Sequence, residues 1–168
     1  MRVGDGCGQL WRLKTLSDPG RNSVRLTPRT TTIGAIRERP YPRPVPTRRR
    51  TQFQRQVWKV VAQVTAFRLE SGGLHLVLFD AGAYLQAVIP TPSCLDGSTR
   101  AREEIATAWK RFASVCGQPT RDWQSFGAIV YVDGVGFWSQ RKPRRGAAPN
   151  GAELHPVTGF RIVAGCGS

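Results

Sequence analysis

Residues 100–116, RAREEIATAWKRFASVC, decide how the rest of the chain is read. Ile105, Ala108, Trp109, Phe112 and Cys116 fall on one stripe of a 3.6-residue period, which predicts an α-helix over Arg100–Cys116. Ser98 or Thr99 can cap its start. Glu103 and Glu104 sit in the early turns and Lys110 and Arg111 near the end, the arrangement the helix dipole favours. Gly117 and Pro119 stop it.

Upstream of this helix the period changes to two. In Gln56–Glu70, Trp58, Val60, Ala62, Val64 and Ala66 share one face, and β-branched and aromatic residues dominate. Ser71-Gly72-Gly73 reads as a hairpin turn. Leu74–Asp80 follows, with Leu74, Leu76 and Leu78 on a single face. Asp80-Ala81-Gly82 turns the chain into Tyr84–Pro90, which Pro90 and Pro92 end. Downstream, Ser125–Trp138 carries Phe126, Ala128, Val130 and Val132 on one face. Gly134 and Gly136 then predict a bulge or bend. The last strand is Leu154–Val163, with Leu154, Val157, Phe160 and Ile162 inward.

Three strands, a helix and two strands is the wiring of a five-stranded OB barrel. The expected fold class is therefore mainly β with one helix (α+β): an OB-like β-barrel domain over 56–168. Residues 1–55 form a basic, Pro/Arg-rich N-terminal extension. Pro40-Tyr41-Pro42-Arg43-Pro44-Val45-Pro46 favours a stiff, extended polyproline path. Thr32–Ile36 reads as one short turn that docks on the barrel.

The chain has 168 residues, 25 basic and 11 acidic, for a net charge of +14. Arginine supplies 21 of the basic residues, and its planar fork suits phosphate better than lysine does. Such a balance points to a polyanionic partner, foremost nucleic acid. A GC-rich genome would give the same excess without function. No apolar run is long enough to span a membrane. Met1–Gly8 has no signal region, so the chain as written reads as cytoplasmic, or as extracellular or envelope-bound if a leader has been lost.

Nucleic-acid binding across an OB face uses arginines that track phosphates and aromatics that stack bases. The candidates are Arg48, Arg49, Arg50, Arg68, Arg141, Lys142, Arg144 and Arg145 for phosphate. Tyr84 and Trp138, with Phe79 and Phe137, are the candidates for stacking. Glu153 and His155 share a strand face and could form an acid–base pair, or a structural pair closing the barrel. His75 could meet Asp80 or face solvent. No nucleophile elbow or phosphate loop is present, and no catalytic residue is assigned. A metal-dependent, nuclease-like phosphodiesterase would need a carboxylate cluster, for which only Asp80, Asp122, Asp133 and Glu153 offer themselves. No Cys-x-x-Cys pair exists and histidines number two, so no metal or other cofactor is expected. Cys7, Cys94, Cys116 and Cys166 permit three fully paired connectivities, or four free thiols.

Gly134-Val135-Gly136-Phe137-Trp138, Ala148-Pro149-Asn150-Gly151 and Glu153-Leu154-His155-Pro156-Val157 together resemble the C-terminal signature of a family of small bacterial proteins, many of them exported. That signature runs GVGFFD…HGQTGVAPN-IELHPV. His75 with Leu76-Val77-Leu78 and Asp80, the segment Ile89–Cys94, and Cys7-Gly8 with Trp11, Lys14-Thr15 and Asp18 extend the resemblance over most of the chain. It implies an OB-like barrel and export, and it brings no assigned activity. Two departures stand out: Ser139 replaces the family's Asp, and Lys142-Pro143-Arg144-Arg145 replaces its His-Gly-Gln-Thr. The resemblance implies a Cys7–Cys94 disulfide, leaving Cys116 and Cys166 as the second pair. It also supports an alternative role as an exported or envelope-associated interaction domain, with the basic extension lying on anionic lipid or polymer.

Overall fold

A computed structural model describes residues 6–166; most of the Met1–Gly8 stretch read for a leader lies outside them. The elements are α1 (Trp11–Lys14), β1 (Arg25–Thr30), α2 (Ile33–Arg37), β2 (Gln56–Glu70), β3 (Gly73–Asp80), β4 (Ala83–Pro90), α3 (Arg102–Cys116), β5 (Gln124–Trp138) and β6 (Ala152–Ala164). The protein is mainly β with few helices, as the periodicities predict.

The strand count differs from the sequence reading. The sheet has six strands in the order β1-β2-β3-β4-β6-β5, and β2 also pairs with β5. The five strands expected from the sequence therefore pair around a ring, and β1 is added beside β2. β1 runs parallel to β2, with Arg25 opposite Gln56 and Thr30 opposite Lys59. Its sequence, RLTPRT, has no alternation of apolar residues and contains a proline, so period-two reading passes over it. Its edge position tolerates both features.

The ring interior is the inward face of each strand. Val60, Ala62, Val64, Leu74, Leu76, Leu78, Leu85, Ala87, Ile89, Val130, Val132 and Leu154 are all buried there. In β2 the register shifts between Val64 and Ala66, so Ala66 and Phe67 are both buried instead of alternating. β5 shifts register around Gly134 and Gly136, as the paired glycines predict. A Cβ on Gly136 would run into the Phe53 carbonyl, so the strand can pass that turn only without a side chain.

Aromatic side chains close both ends of the ring. Phe67 packs edge-on against Phe112 of α3 at 4.8 Å, and Phe112 meets Phe160 at 5.7 Å. At the other end Phe53 lies 4.9 Å from Trp138 and 6.0 Å from Trp58. α3 buries Ile105, Ala108 and Phe112, the core of the predicted stripe. It starts two residues later than the sequence suggests, at a left-handed Ala101 with no side-chain cap. Ser98 and Thr99 do not cap it; they bond to Asp96 in the preceding turn.

The extension is laid against the ring. Ile33 and Ile36 of α2 belong to the main core, and Leu16, Val24, Val57 and Val135 make a second small cluster. Thr32 caps α2 by accepting from the Ala35 amide at 3.0 Å. Two disulfides pin the ends, Cys7–Cys94 and Cys116–Cys166, the pairing the family resemblance implies. Among the described residues no helix is long and apolar enough to cross a membrane.

Candidate functional site

Since Leu74 and Leu76 point into the ring, His75 between them must point out. It lies opposite Val88 of β4. β4 and β6 run parallel, with Gln86 opposite Glu153 and Ala87 opposite Leu154. His155 follows Leu154 on β6, on the same outward side of the ring as His75. The two imidazoles sit 6.5 Å apart, nearly perpendicular.

Each histidine has its own carboxylate. His75 Nε2 is 3.3 Å from Glu70 Oε2, and His155 Nδ1 is 3.6 Å from Glu153 Oε1. The N-terminal block covers this face: Gly8 and Lys14 join Glu70, Ser71, His75, Arg121, Arg144 and His155 around a cavity of about 430 Å³. The Nδ1 atoms of both histidines are buried without a hydrogen bond. Such a cost is tolerated where a site is built for something other than stability.

Burial sets the charge state. It pushes His75 down to about 4; Glu70 and Glu153 oppose it, and His155 and Arg144 reinforce it. Burial also holds His155 well below 6.5, helped by Lys14 and Arg144. Glu153 is raised by burial against the pull of His75, Arg144 and Lys14. Burial raises Glu70 too, but His75, Arg68 and Arg144 outweigh it and the net shift is downward. Lys14 is lowered, chiefly by burial. At neutral pH both imidazoles are therefore neutral, and their carboxylate contacts are dipolar rather than ion pairs.

This fixes a stability prediction. A histidine whose folded pKa is depressed favours folding fully above its unfolded value near 6.5, and that contribution is lost as pH falls through 6.5 toward 4. The loss from His75 should be about 3 kcal/mol, and His155 adds to it in the same direction. Urea midpoints measured from pH 7 to pH 4 should fall steeply in the native protein and less steeply in His75→Gln. An equal pH dependence in both would contradict this account.

Two further cavities continue the first. One of about 510 Å³ is lined by Lys14, Lys142, Arg144, Phe137 and Trp138 with Val45 and Pro46. Another of about 500 Å³ lies beyond it, between Trp11, Arg12 and Arg48. Lys14 and Arg144 line the first two cavities; Leu10 and Thr47 line the last two. Through these shared walls the three cavities adjoin as a groove, whose walls carry Arg121, Arg144, Lys14, Lys142, Arg12 and Arg48, with the buried Arg49 behind the last. Its carboxylates are Glu70 and Asp18, and Asp18 is already paired with Arg49 at 2.9 Å.

The groove walls are held in place by hydrogen bonds. Gln54 accepts from the amides of Arg50 and Thr51 at 3.0 and 2.9 Å and donates to the Arg48 carbonyl at 3.1 Å, fixing the turn that presents Arg48. Asn150 donates to the Ile36 and Arg39 carbonyls at 2.9 and 3.0 Å, tying the 139–151 loop to the extension. The Ser139 amide donates to the Gly151 carbonyl at 2.8 Å. Gly151 has φ of 75°, and a Cβ there would strike the Ser139 carbonyl, so this loop base needs glycine.

The predicted phosphate residues divide. Arg48, Lys142 and Arg144 are exposed and line the groove. Arg141 and Arg145 are exposed on the same loop, stacked on Tyr41 and Trp123. Arg68 stacks on the other partner of this group, Trp123, at 4.5 Å and is paired with Glu70 at 2.7 Å. Arg50 is exposed and donates to the Pro44 carbonyl. Arg49 is a correction: it is buried, bonded to Asp18 and to the Leu13 and Gln54 carbonyls, and cannot reach a ligand. Trp138 is a second correction. It is 3% exposed and its Nε1 donates to Thr51 Oγ1, so it is a core residue. Phe137 is likewise buried, against His155. Tyr84 is exposed but lies against Phe79, outside the groove. Glu153 and His155 lie side by side at 3.6 Å, and sequence reading missed that His75, Glu70, Lys14 and Arg121 line one cavity with His155. The signal available was the pairing of each histidine with a nearby carboxylate. Among the described residues, no three His, Cys, Asp or Glu side chains group so as to hold a metal ion.

No protein-family profile matches the chain, and no curated protein matches it. Among solved structures, a chain from Leishmania major Friedlin described as an aspartyl-tRNA synthetase is similar at 16% identity and a TM-score of 0.49, over 83% of this chain. The present chain spans 21% of the length of that one.

Proposed function

We propose that this protein is an OB-type module that binds a polyanion, most directly a single-stranded nucleic acid, along the groove of three cavities. The observation that carries the reading is the groove's charge: six basic side chains line it besides the buried Arg49, which neutralises one of its two carboxylates. A channel with walls of one sign concentrates counter-ions and steers an anionic chain along its length. The ring of five strands, with a helix between its third and fourth members, supports the OB assignment. Two disulfides support a working place outside the reducing cytosol, in line with the exported family that the sequence resembles.

Binding that engages six phosphates should show a log–log salt slope of about −4 for a single strand. Between 50 and 200 mM salt that corresponds to roughly 300-fold weaker binding. Fluorescence anisotropy of a labelled single strand, repeated across that range, reads the slope. Salt-independent binding, or none at the low end, overturns the proposal and leaves an exported interaction domain as the reading.

A further inference from the structure

We propose that the cleft holding His75 and His155 cleaves RNA without a metal ion, by proton transfer to and from one phosphodiester. This rests on the groove being a nucleic-acid site, and it assigns that site a reaction. Three features meet in the cleft. Two imidazoles line it with rings 6.5 Å apart, a spacing that lets them reach opposite sides of one phosphorus. Each imidazole stands beside a carboxylate, Glu70 or Glu153. Lys14, Arg121 and Arg144 line the same cleft, placed to neutralise a phosphate and the charge added as it becomes five-coordinate.

The roles follow from which ring edge faces where. His155 turns Nδ1 inward toward Glu153, where it is buried, which leaves its Nε2 edge to the cleft. Glu153 Oε1, 3.6 Å from Nδ1 and short of a hydrogen bond, draws the ring proton to that nitrogen by charge alone and leaves the Nε2 lone pair free. Neutral His155 is thus the base. His75 directs Nε2 toward Glu70, which itself lines the cleft. Glu70 favours the protonated form of His75, and a bound phosphodiester adds a second negative charge, so His75 is the acid.

The step balances within the substrate. His155 Nε2 takes the proton of a ribose 2′-hydroxyl. The 2′-oxygen attacks phosphorus, the bond from phosphorus to the 5′-oxygen breaks, and His75 gives that oxygen its proton. The products are a 2′,3′-cyclic phosphate and a 5′-hydroxyl end, with no oxidant, reductant or added nucleophile. The RNA supplies its own nucleophile, so the protein needs only an acid, a base and positive charge.

The charged groups facing His75 are Glu70, Glu153, Arg144 and the second imidazole; those facing His155 are Glu153, Lys14 and Arg144. With His75 held near 4 in the free protein, its acid form is the scarce species. The rate should therefore rise as pH is lowered from neutrality.

The test incubates the full chain, in excess EDTA, with a labelled single-stranded RNA, the same RNA bearing 2′-O-methyl groups, and DNA of the same sequence. Expected is cleavage of the unmodified RNA alone, to cyclic phosphate ends, with all three strands bound. His75→Gln and His155→Gln, purified in parallel, should each cleave about 100-fold or more slowly while binding RNA within a factor of about three. Binding of all three strands with no cleavage overturns the reaction and leaves the groove standing. Absence of binding overturns both. Cleavage of DNA or methylated RNA, equal cleavage by the variants, or a rate that climbs with pH contradicts the assigned roles.

Discussion

Replacing Arg141, Lys142, Arg144 and Arg145 together by glutamate should weaken single-strand binding by about three orders of magnitude at low salt. The four changes remove eight charge units from a chain of +14, leaving +6, so the protein stays basic overall. If net charge alone governed affinity, the loss would be modest. The larger loss follows from position: Lys142 and Arg144 line the groove, and Arg141 and Arg145 stand on the same loop. The control is Arg102→Glu with Lys110→Glu on the exposed surface of α3, which removes four charge units and should cost less than about tenfold. Because Arg144 donates to Ser139 and Arg141 to the Pro149 carbonyl, thermal melts of each variant establish that the loop change leaves the fold intact. Losses that scale only with the charge removed, eight units in the loop variant and four in the helix variant, would reduce the interaction to bulk charge.

The largest stability effect should come from Asp18→Ala. Asp18 and Arg49 form an ion pair with side chains 6% and 2% exposed. Removing the carboxylate strands a guanidinium whose pKa is already lowered by burial and sustained by Asp18. Leaving a buried charge unpaired costs about 3–5 kcal/mol. The double change of Asp18→Ala with Arg49→Met should recover most of that loss, because the desolvated charge goes with its partner. Urea unfolding of the two variants reads the difference. A double variant no better than the single one would mean that Arg49 acts mainly through the Leu13 and Gln54 carbonyls. In either case Arg49 serves the fold, and its neighbours Arg48 and Arg50 are the ones held outward.

The ring strands and α3 were legible because each carries one dominant period over enough residues. β2 and β3 read almost to the residue, since Val60, Ala62 and Val64, then Leu74, Leu76 and Leu78, must all face one core. β1 was not legible, since five of its six residues are exposed and none is buried, so no covered face imposes alternation. The packing of the extension was half visible: Ile33 and Ile36 mark a docking turn, but nothing local says that Asp18 and Arg49, 31 residues apart, will be buried together. Arginine is normally a surface residue, and a run of three gives no sign that the middle one points inward. Trp138 misled for a related reason, since an aromatic at the end of a glycine-rich strand fits either a stacking platform or a core plug. The histidine cleft was the least legible feature. His75 and His155 are 80 residues apart in the chain, and only the parallel pairing of β4 with β6 brings them to one side of the ring.

The most direct measurement is amide chemical-shift mapping of the isotopically labelled protein, titrated with a short single-stranded oligonucleotide at low salt. The account predicts that shifts concentrate on Gly8, Lys14, Ser71, Ser139, Lys142 and Arg144, with Thr47 and Arg48 at the far end of the groove. Shifts confined to α3 and the outer edge of β1, or spread evenly over every basic patch, would contradict it.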